Sequence, residues 1–353
     1  MVFLTSKHIG NNFNSYKVVS KQDHFLNMNS FIINLFAFLF LITGCASKLG
    51  NKKEFLSNPF FGIEPSDSVQ ILAPNIISSS LYEYNGTFSP DGSEFYYTIN
   101  LPSRGQVVFM ELQEDNTWTE PMFAEFSSNF SEVDPLFSPD GKRLYFTSSR
   151  PVSDSLVLNR NNIWFVEKAE NGWGVPQVVT LTETGDYYSS LTNHGEIYFN
   201  TWKTGDIYKA VKTDSSYFIE RLPDVINLNK NVGDPFISPN EDYLIYRGNI
   251  LEDTYGGSDL YISFKINNEW SNPLNLGEPI NTSASESCPY VTIDGKMMIF
   301  SSTRVMQVYN TQPLQSISIL KEKSESFDNG ALNIFYVSTT FITKLRAKVE
   351  SDN

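Results

Sequence analysis

Short aromatic stretches alternate with polar turns along most of the chain after about residue 69. Each stretch follows directly on a turn rich in Pro, Asp, Asn and Gly. The stretches are Phe95-Tyr96-Tyr97, Leu144-Tyr145-Phe146, Ile197-Tyr198-Phe199, Leu244-Ile245-Tyr246 and Met298-Ile299-Phe300. Segments this short, enriched in aromatic and branched residues and bounded by turn residues, are typical of β-strands. The pattern therefore predicts an all-β chain.

The turns themselves repeat. FSPDG occurs at 88–92 and at 137–141, with weaker copies LTNHG at 191–195, ISPNE at 237–241 and VTIDG at 291–295. Their starts are 49, 54, 46 and 54 residues apart. Pro fixes φ at the first corner, Asp bonds back to the backbone and Gly takes a positive φ, so each turn predicts a hairpin. A repeat of about 40 to 50 residues is typical of a β-propeller.

Two further strands complete each repeat. A third strand begins at an Asp or Asn, as in Asn162-Ile163-Trp164, and a fourth is marked by Trp-x-x-Pro at Trp118, Trp173 and Trp270. We interpret these tryptophans as packing residues of the outer strands, with a sugar-stacking surface as the alternative. Four strands per repeat make the blade of a propeller.

The number of blades follows from the number of repeats. Five copies of the first three strands are present, and the last copy ends near Thr339 without a fourth strand. Residues 69–74 fit the missing strand, with Ile71 and Pro74 at the Trp and Pro positions. The sequence thus predicts five four-stranded blades, with an N-terminal strand that closes the last blade and leaves few free sheet edges. Six blades is the alternative, if 75–85 or 305–332 contains another strand pair.

The N-terminal region predicts an export signal. Residues 31–42, FIINLFAFLFLI, are nearly all apolar, but a membrane-spanning helix needs about 20 residues, so this run fits the core of a signal peptide. Thr43-Gly44-Cys45 follows, and with Ile42 it resembles the bacterial lipobox. That resemblance implies a signal peptide at 1–44, a lipid on Cys45, a tether at 45–66, and anchoring at the bacterial cell envelope, facing the periplasm or the cell surface.

Charge, histidine and cysteine content exclude several classes of protein. The formal net charge is −14, whereas nucleic-acid binding needs a basic face. Cleavage after residue 44 would leave His194 as the only histidine, which excludes a multi-histidine metal site. Cys45 and Cys288 do not form a disulfide framework. The sequence also contains no nucleophile elbow, phosphate-binding glycine loop or zinc-ligand spacing.

Two repeat copies carry a resemblance to a known family. SPDGKRLYFTSSR at 138–150 and TIDGKMMIFSSTR at 292–304 closely resemble the WD40-like repeat of TolB-type β-propellers. The resemblance covers roughly residues 65–346, and it places a propeller domain at 67–346 with a C-terminal tail at 347–353. It implies a lipoprotein of the periplasm or outer membrane that acts through protein contacts.

Carboxylates recur three to five residues before each turn, where the innermost strand of a blade should begin. They are Glu83, Glu132, Asp134, Asp186, Asp234 and Glu286. Equivalent positions surround the axis of a propeller, so we expect these side chains to converge on one mouth of the channel. Three interpretations stay open: bonds to backbone N–H groups of neighbouring blades, a rim that binds a ligand or Ca²⁺ through oxygen atoms, or paired carboxylates for glycoside hydrolysis.

The leading functional hypothesis is a non-catalytic, lipid-anchored module that binds a protein or a glycan. No catalytic residue is assigned, and no cofactor is expected apart from Ca²⁺ at the rim. The alternative is a carboxylate-dependent glycan hydrolase at the axial mouth. In an enzyme two rim carboxylates should lie close together, one of them desolvated with a raised pKa, whereas a scaffold should show hydrogen-bonded, evenly spaced carboxylates. The long loop at 305–332 is expected to be functional or disordered, and its KEKSES run at 321–326 favours disorder.

Overall fold

The computed structural model describes residues 56–152, 160–179, 181–227, 231–249, 253–306 and 316–352. Cys45 and the predicted signal peptide lie outside these residues. Five antiparallel sheets follow one another along the described chain as the blades of a β-propeller. The predicted all-β, five-bladed fold is confirmed, and the described part of the chain contains no sixth blade.

The strands follow the predicted repeats. The first strand, β1 (Gln70–Ile71), belongs to the last blade. Blade one contains β2 (Tyr82–Phe88), β3 (Glu94–Asn100), β4 (Gly105–Glu111) and β5 (Met122–Phe123). Blade two contains β6 (Glu132–Phe137), β7 (Arg143–Ser148), β8 (Asn162–Glu167) and β9 (Gln177–Val179). Blade three contains β10 (Asp186–Leu191), β11 (Ile197–Thr201), β12 (Ile207–Lys212) and β13 (Tyr217–Arg221).

Blades four and five complete the ring. Blade four contains β14 (Gly233–Ile237), β15 (Tyr243–Gly248), β16 (Asp259–Ile266), β17 (Glu269–Trp270) and β18 (Leu274–Asn275). Blade five contains β19 (Glu286–Val291), β20 (Met297–Ser302) and β21 (Asn333–Ser338), with β1 as its fourth strand. A 3₁₀ turn at Pro59–Gly62 and three helices lie outside the sheets: α1 (Asp224–Asn227), α2 (Ile317–Ser324) and α3 (Thr340–Asp352). Among the described residues, no helix has the length and apolar character needed to cross a membrane.

The inner strands of the five blades contact one another in a closed ring around the axis. They are β2, β6, β10, β14 and β19. All five begin at one end of the ring, which we call the mouth end, and run towards the repeated turns, which form the turn end. Residues at equivalent positions of the inner strands therefore face one another across the axis.

The repeated turns have the predicted geometry, with one substitution. Gly92 has a φ of 72°, and the glycines at the same position of three other turns are also positive. In the fourth turn the position is held by Glu241, with a φ of 60°. Its carboxylate accepts from Lys209 Nζ at 2.5 Å and Lys265 Nζ at 3.0 Å. These ion pairs offset the conformational cost of a side chain in the left-handed region.

The ring closes as predicted, through pairing of the two ends of the propeller. Gln70 pairs with Tyr336 and Ile71 with Phe335 in an antiparallel register. The next residue, Leu72, donates its N–H to the carbonyl of Ile334 at 2.8 Å. The strand is shorter than the predicted 69–74, but it satisfies the outer edge of β21.

Two of the three repeated tryptophans pack between chain segments, as the sequence indicates. Trp173 donates its indole N–H to the Tyr96 hydroxyl at 2.7 Å, which joins blade two to blade one. Trp118 is buried and donates to the carbonyl of Asn58 at 2.8 Å. The ring of Trp118 is therefore part of the core, and the partly buried ring of Trp173 packs against Tyr96 and Phe137.

Residues 57–63, which we call the N-terminal strap, lie across blade one. Phe61 packs with ring centroids 5.0 Å from Phe88, 5.2 Å from Phe95 and 4.3 Å from Trp118. Phe60 donates its N–H to the carbonyl of Gly92 at 2.8 Å. The strap falls within the segment assigned to a tether by its lack of pattern, and these two phenylalanines are what attach it to the blade.

The helices α3 and α2 differ from two expectations, the end of the domain at 346 and the disorder of 321–326. α3 runs from Thr340 through the expected domain end at 346, and its Arg346 pairs with Asp242 at 3.0 Å and covers the ring of Phe264 at 4.8 Å. Disorder is wrong for 321–324, which form the second half of α2. The Ser316 hydroxyl accepts the N–H of Ile319 and caps this helix.

Candidate functional site

Four of the predicted rim carboxylates begin an inner strand and have the same local structure. Each accepts the N–H and the hydroxyl of the Ser or Thr four residues earlier. The pairs are Glu83 with Ser79, Glu132 with Ser128, Asp186 with Thr182, and Glu286 with Thr282. All four carboxylates are buried. They fasten the loop that leads into each inner strand, so their backbone bonds are local and do not go to neighbouring blades as the backbone-bonding interpretation had it.

Two of these four carboxylates are also ion-paired. Glu132 accepts from Arg150 at 2.8 Å and Glu286 from Arg304 at 3.1 Å, and each guanidinium lies over an aromatic ring of its own blade. Burial raises the pKa of Glu83 and of Asp186. Neither forms a salt bridge among the described residues, although the charge of Arg160 acts on Asp186. The structure therefore uses these four side chains in loop attachment.

The remaining two predicted carboxylates belong to a different ring of residues. Asp134 and Asp234 lie at a register shift in the inner strand, where the backbone takes a positive φ. Every blade has such a residue three positions before its turn. The five, with φ between 50° and 57°, are Asn85, Asp134, Tyr188, Asp234 and Cys288. A positive φ is uncommon for Tyr and Cys, so this bulge ring is imposed by the propeller rather than by local preference.

Hydrogen bonds between blades hold the bulge ring in place. The N–H of four of the five bulge residues is donated to a side chain on the second strand of the preceding blade. These four acceptors are neutral. The N–H of Asp134 is donated to Thr98 at 3.1 Å, that of Tyr188 to Thr147 at 3.0 Å, that of Asp234 to Asn200 at 2.9 Å, and that of Asn85 to Ser301 at 3.0 Å. The bonds satisfy backbone donors that the bulges would otherwise leave unpaired.

The fifth position breaks this pattern. Arg247 stands where the other blades have Thr, Asn or Ser, and a guanidinium cannot accept a hydrogen bond. Asp234 takes over the role, because its Oδ2 accepts the N–H of Cys288 at 3.3 Å and Nε of Arg247 at 3.0 Å. Gly233 makes room for the arginine, since a Cβ there would lie 2.5 Å from a guanidinium nitrogen. A charged pair has thus replaced a neutral contact at the junction of blades four and five.

Tyr188 occupies the axis below this pair. Its hydroxyl donates to the carbonyl of Pro289 at 3.2 Å, which joins blade three to blade five across the ring. The turn-end side of the axis is lined by apolar and aromatic residues, among them Phe88, Phe137, Leu191, Phe236 and Tyr290. The polar residues of the axis therefore lie towards the mouth end, and we call the part of the axis around Asp134, Asp234 and Arg247 the axial pocket.

Aromatic side chains surround the pocket. Burial and neighbouring negative charge raise the pKa of Tyr187 to about 12 and that of Tyr84 further, and for both the charges include Asp134 and Asp234. Trp202 is 72% exposed, and its ring centroid lies 5.5 Å from that of Tyr187. Three more aromatic residues are exposed on loops of the same end: Tyr82, Phe130 and Tyr255.

The two axial carboxylates have different surroundings. Asp234 is ion-paired with Arg247, whereas Asp134 receives only neutral donors, including the Asn85 amide at 3.4 Å. Burial and the negative charge of Asp234 raise the pKa of Asp134 to about 7. Within the described residues, no group of three or more His, Cys, Asp or Glu side chains is placed to hold a metal ion.

The site residues that sequence reasoning missed are the bulge residues Asn85, Tyr188 and Cys288, the arginine Arg247, and the aromatic residues Tyr84, Tyr187 and Trp202. A signal for the first three is present, because all bulge residues lie three positions before the turn and share its 49, 54, 46 and 54 spacing. A window of three to five residues merges this ring with the loop-fastening carboxylates two positions earlier. Arg247 has no such signal, because it is one polar residue at the end of an apolar strand.

Fold and site together define a five-bladed β-propeller with a polar, aromatic-lined pocket at one end of its axis. No family model and no curated protein sequence matches this chain.

Several solved propeller structures are similar to it. The putative TolB of Agrobacterium tumefaciens is 14% identical, with a TM-score of 0.44 over 73% of this chain and 90% of that one. The TolB of Acinetobacter baumannii is 17% identical, with a TM-score of 0.39 over 57% and 45%. The arabinanase Arb43A of Bacillus subtilis is 11% identical, with a TM-score of 0.47 over 74% and 95%. Identities and TM-scores this low assign no activity to this chain.

Proposed function

We propose that this protein is a non-catalytic binding propeller that holds a glycan at its axial mouth. The observation that carries the proposal is the exposed ring of Trp202, which packs on the partly buried ring of Tyr187 beside the Arg247–Asp234 ion pair. Sugars present an apolar face that stacks on aromatic rings and hydroxyl groups that bond to charged side chains. A pocket lined by aromatic residues with a few fixed polar groups is the usual form of a small-ligand site.

Comparison between blades supports a ligand-directed role for Trp202. At the same position, Ser149 and Thr303 use their hydroxyls to accept the backbone N–H of Ser131 and Ser285, at 3.1 and 3.2 Å. Trp202 cannot make that bond and is mostly exposed. A structural hydroxyl has thus been replaced by a large aromatic surface next to the pocket.

The proposed location is the bacterial cell envelope. A lipid on Cys45, implied by the lipobox resemblance, would hold the propeller at a membrane surface. The N-terminal strap packs on the turn of blade one through Phe60 and Gly92, at the turn end of the ring.

Titration calorimetry against a panel of oligosaccharides tests the proposal. Trp202→Ala should weaken binding at least about tenfold, as expected for the loss of an aromatic stacking surface, without lowering the melting temperature. Phe218→Ala is the matched control, because Phe218 is 61% exposed on the outer strand of the same blade and should leave binding unchanged. Unchanged affinity in Trp202→Ala, or binding to no member of the panel, would contradict the proposal.

A second candidate function is glycan hydrolysis, and one observation favours it. Asp134 has a pKa raised to about 7, as a general acid requires, while Asp234 is ion-paired with Arg247. Release of new reducing ends from a bound oligosaccharide, lost in both Asp134→Asn and Asp234→Asn, would establish the enzyme. Binding without any release of reducing ends would support the non-catalytic proposal.

A further inference from the structure

Asp134 differs from the other buried carboxylates of the inner strands, because it is neither ion-paired nor used to fasten a loop as Glu83 and Asp186 are. Asp234, Glu132 and Glu286 each have an arginine partner, at 3.0, 2.8 and 3.1 Å. Asp134 is 9% exposed and has no cationic partner among the described residues. Its donors are the Asn85 amide and the Thr147 hydroxyl, which are both neutral. A buried carboxylate without a countercharge is costly, and it is retained here on the mouth-end side of the axis.

The groups facing Asp134 favour a positive ligand. The titratable or charged ones on the strands packed around it are Tyr84, Tyr187, Tyr188, Asp234, Arg247 and Cys288. Burial raises the pKa of the three phenols and of the thiol, so these groups stay neutral. Arg247 is engaged by Asp234. With Asp134 ionised, the pocket has one net negative charge.

The tyrosine rings add to this preference. A cation near the face of an aromatic ring is attracted by the ring's electrons, and Tyr84 and Tyr187 both lie close enough to Asp134 for its charge to act on their phenols. An anionic ligand would meet two carboxylates instead. Among glycans, the one that supplies both a stacking face and a positive charge is an amino sugar.

We propose that the axial pocket binds the protonated amine of an amino sugar, with the ammonium group beside Asp134 and the sugar ring against Trp202. This inference rests on the proposed glycan-binding function and adds the chemical class of the sugar. When the ammonium binds, Asp134 gives up its proton to the solvent and becomes the countercharge. Binding at mildly acidic pH is therefore coupled to the release of a proton.

Three β-1,4-linked trisaccharides test the inference. They differ only in the substituent at C2, which is an amino, an acetamido or a hydroxyl group. At pH 6 the amino form should bind about tenfold more tightly than the other two, the usual magnitude for a charge-assisted bond. Calorimetry in two buffers of different ionisation enthalpy should show release of about one proton per bound amino sugar, because Asp134 is mainly protonated at this pH. Asp134→Asn should lose both the preference and the proton release while keeping its affinity for the acetamido form.

Asp214→Asn, which changes an exposed carboxyl in the outer hairpin of blade three, is the control and should behave as wild type. Equal affinity for the three sugars would overturn the amine inference and leave glycan binding standing. Failure of all three sugars to bind would overturn the proposed function as well. A melting temperature raised by calcium chloride alone, and not raised in Asp134→Asn, would show instead that the pocket takes a divalent cation. Binding of trilysine without binding of any sugar would show that the cation comes from a protein.

Discussion

The pH dependence of stability provides the sharpest test of the axial site. The pKa of Asp134 rises from 3.8 to about 7 on folding, so between these values the folded state holds a proton that the unfolded state has lost. Stability therefore falls as the pH rises through this window and levels off above about pH 7. At about 1.36 kcal/mol for each pH unit between the two pKa values, the folded state loses about 4 kcal/mol of stability once the pH has passed through the window.

Asp134→Asn removes this titration while keeping the shape of the side chain. The variant should gain stability over wild type as the pH rises, by roughly 3 kcal/mol more at pH 8 than at pH 5. Urea unfolding at pH 5, 6, 7 and 8 measures the difference directly. Glu83 and Asp186, whose pKa values are also raised by burial, are present in both proteins and cancel.

The control for this prediction is again Asp214→Asn, whose stability should parallel that of wild type at every pH. Parallel curves for Asp134→Asn and wild type would refute the reasoning, since they would mean that Asp134 titrates alike in the folded and unfolded chains. A variant that is less stable than wild type at pH 8 would show that the carboxylate has a cationic partner after all.

Three further predictions concern the anchor, the ring and the turns. Cys45→Ala should move the protein from the detergent phase to the aqueous phase in a Triton X-114 partition, and unchanged partition would contradict lipidation. Deletion of 68–74 should expose β21 and cost several kcal/mol in ladder bonds and apolar contacts, so an unchanged melting temperature would rule out closure by β1. Burial opposes ionisation of Glu241, but its bonds to Lys209, Tyr198 and Lys265 prevail and lower its pKa to about 2. Glu241→Gln should therefore lower the stability of the protein at pH 7. The difference in stability from wild type should shrink as the pH falls from about 4.5 to 2.

The repeats made the fold predictable from the sequence. A turn such as 88–92 carries its own geometry in Pro, Asp and Gly, and five copies at nearly equal spacing fix the number of blades. Closure by Ile71 was predictable because the last blade lacked a fourth strand and the N-terminal segment had the matching pattern. The exact ends of two-residue strands such as β1 and β5 were harder to predict, because they depend on pairing with a neighbouring strand.

The candidate site was predictable only in part. Asp134 and Asp234 were found because a carboxylate before a turn is visible in the sequence, but Glu83 and Glu132 look the same there and do a different job. What separates the two groups is the bulge, which adds one residue to the strand and redirects the next side chain. The role of Arg247 depends on a blade-to-blade contact that only the folded ring creates.

The N-terminal strap has a mechanical consequence. It is fixed to blade one through Phe61 and Trp118, whereas β1, only a few residues later, completes blade five. The chain therefore bridges the seam between the first and last blades. If Cys45 holds a lipid, any drag on a captured polymer loads the N-terminus, and the tension reaches the aromatic contacts of the strap before it reaches the two residue pairs that close the ring. The strap contacts would then bear the force first, and the pairing of β1 with β21 would be protected from it.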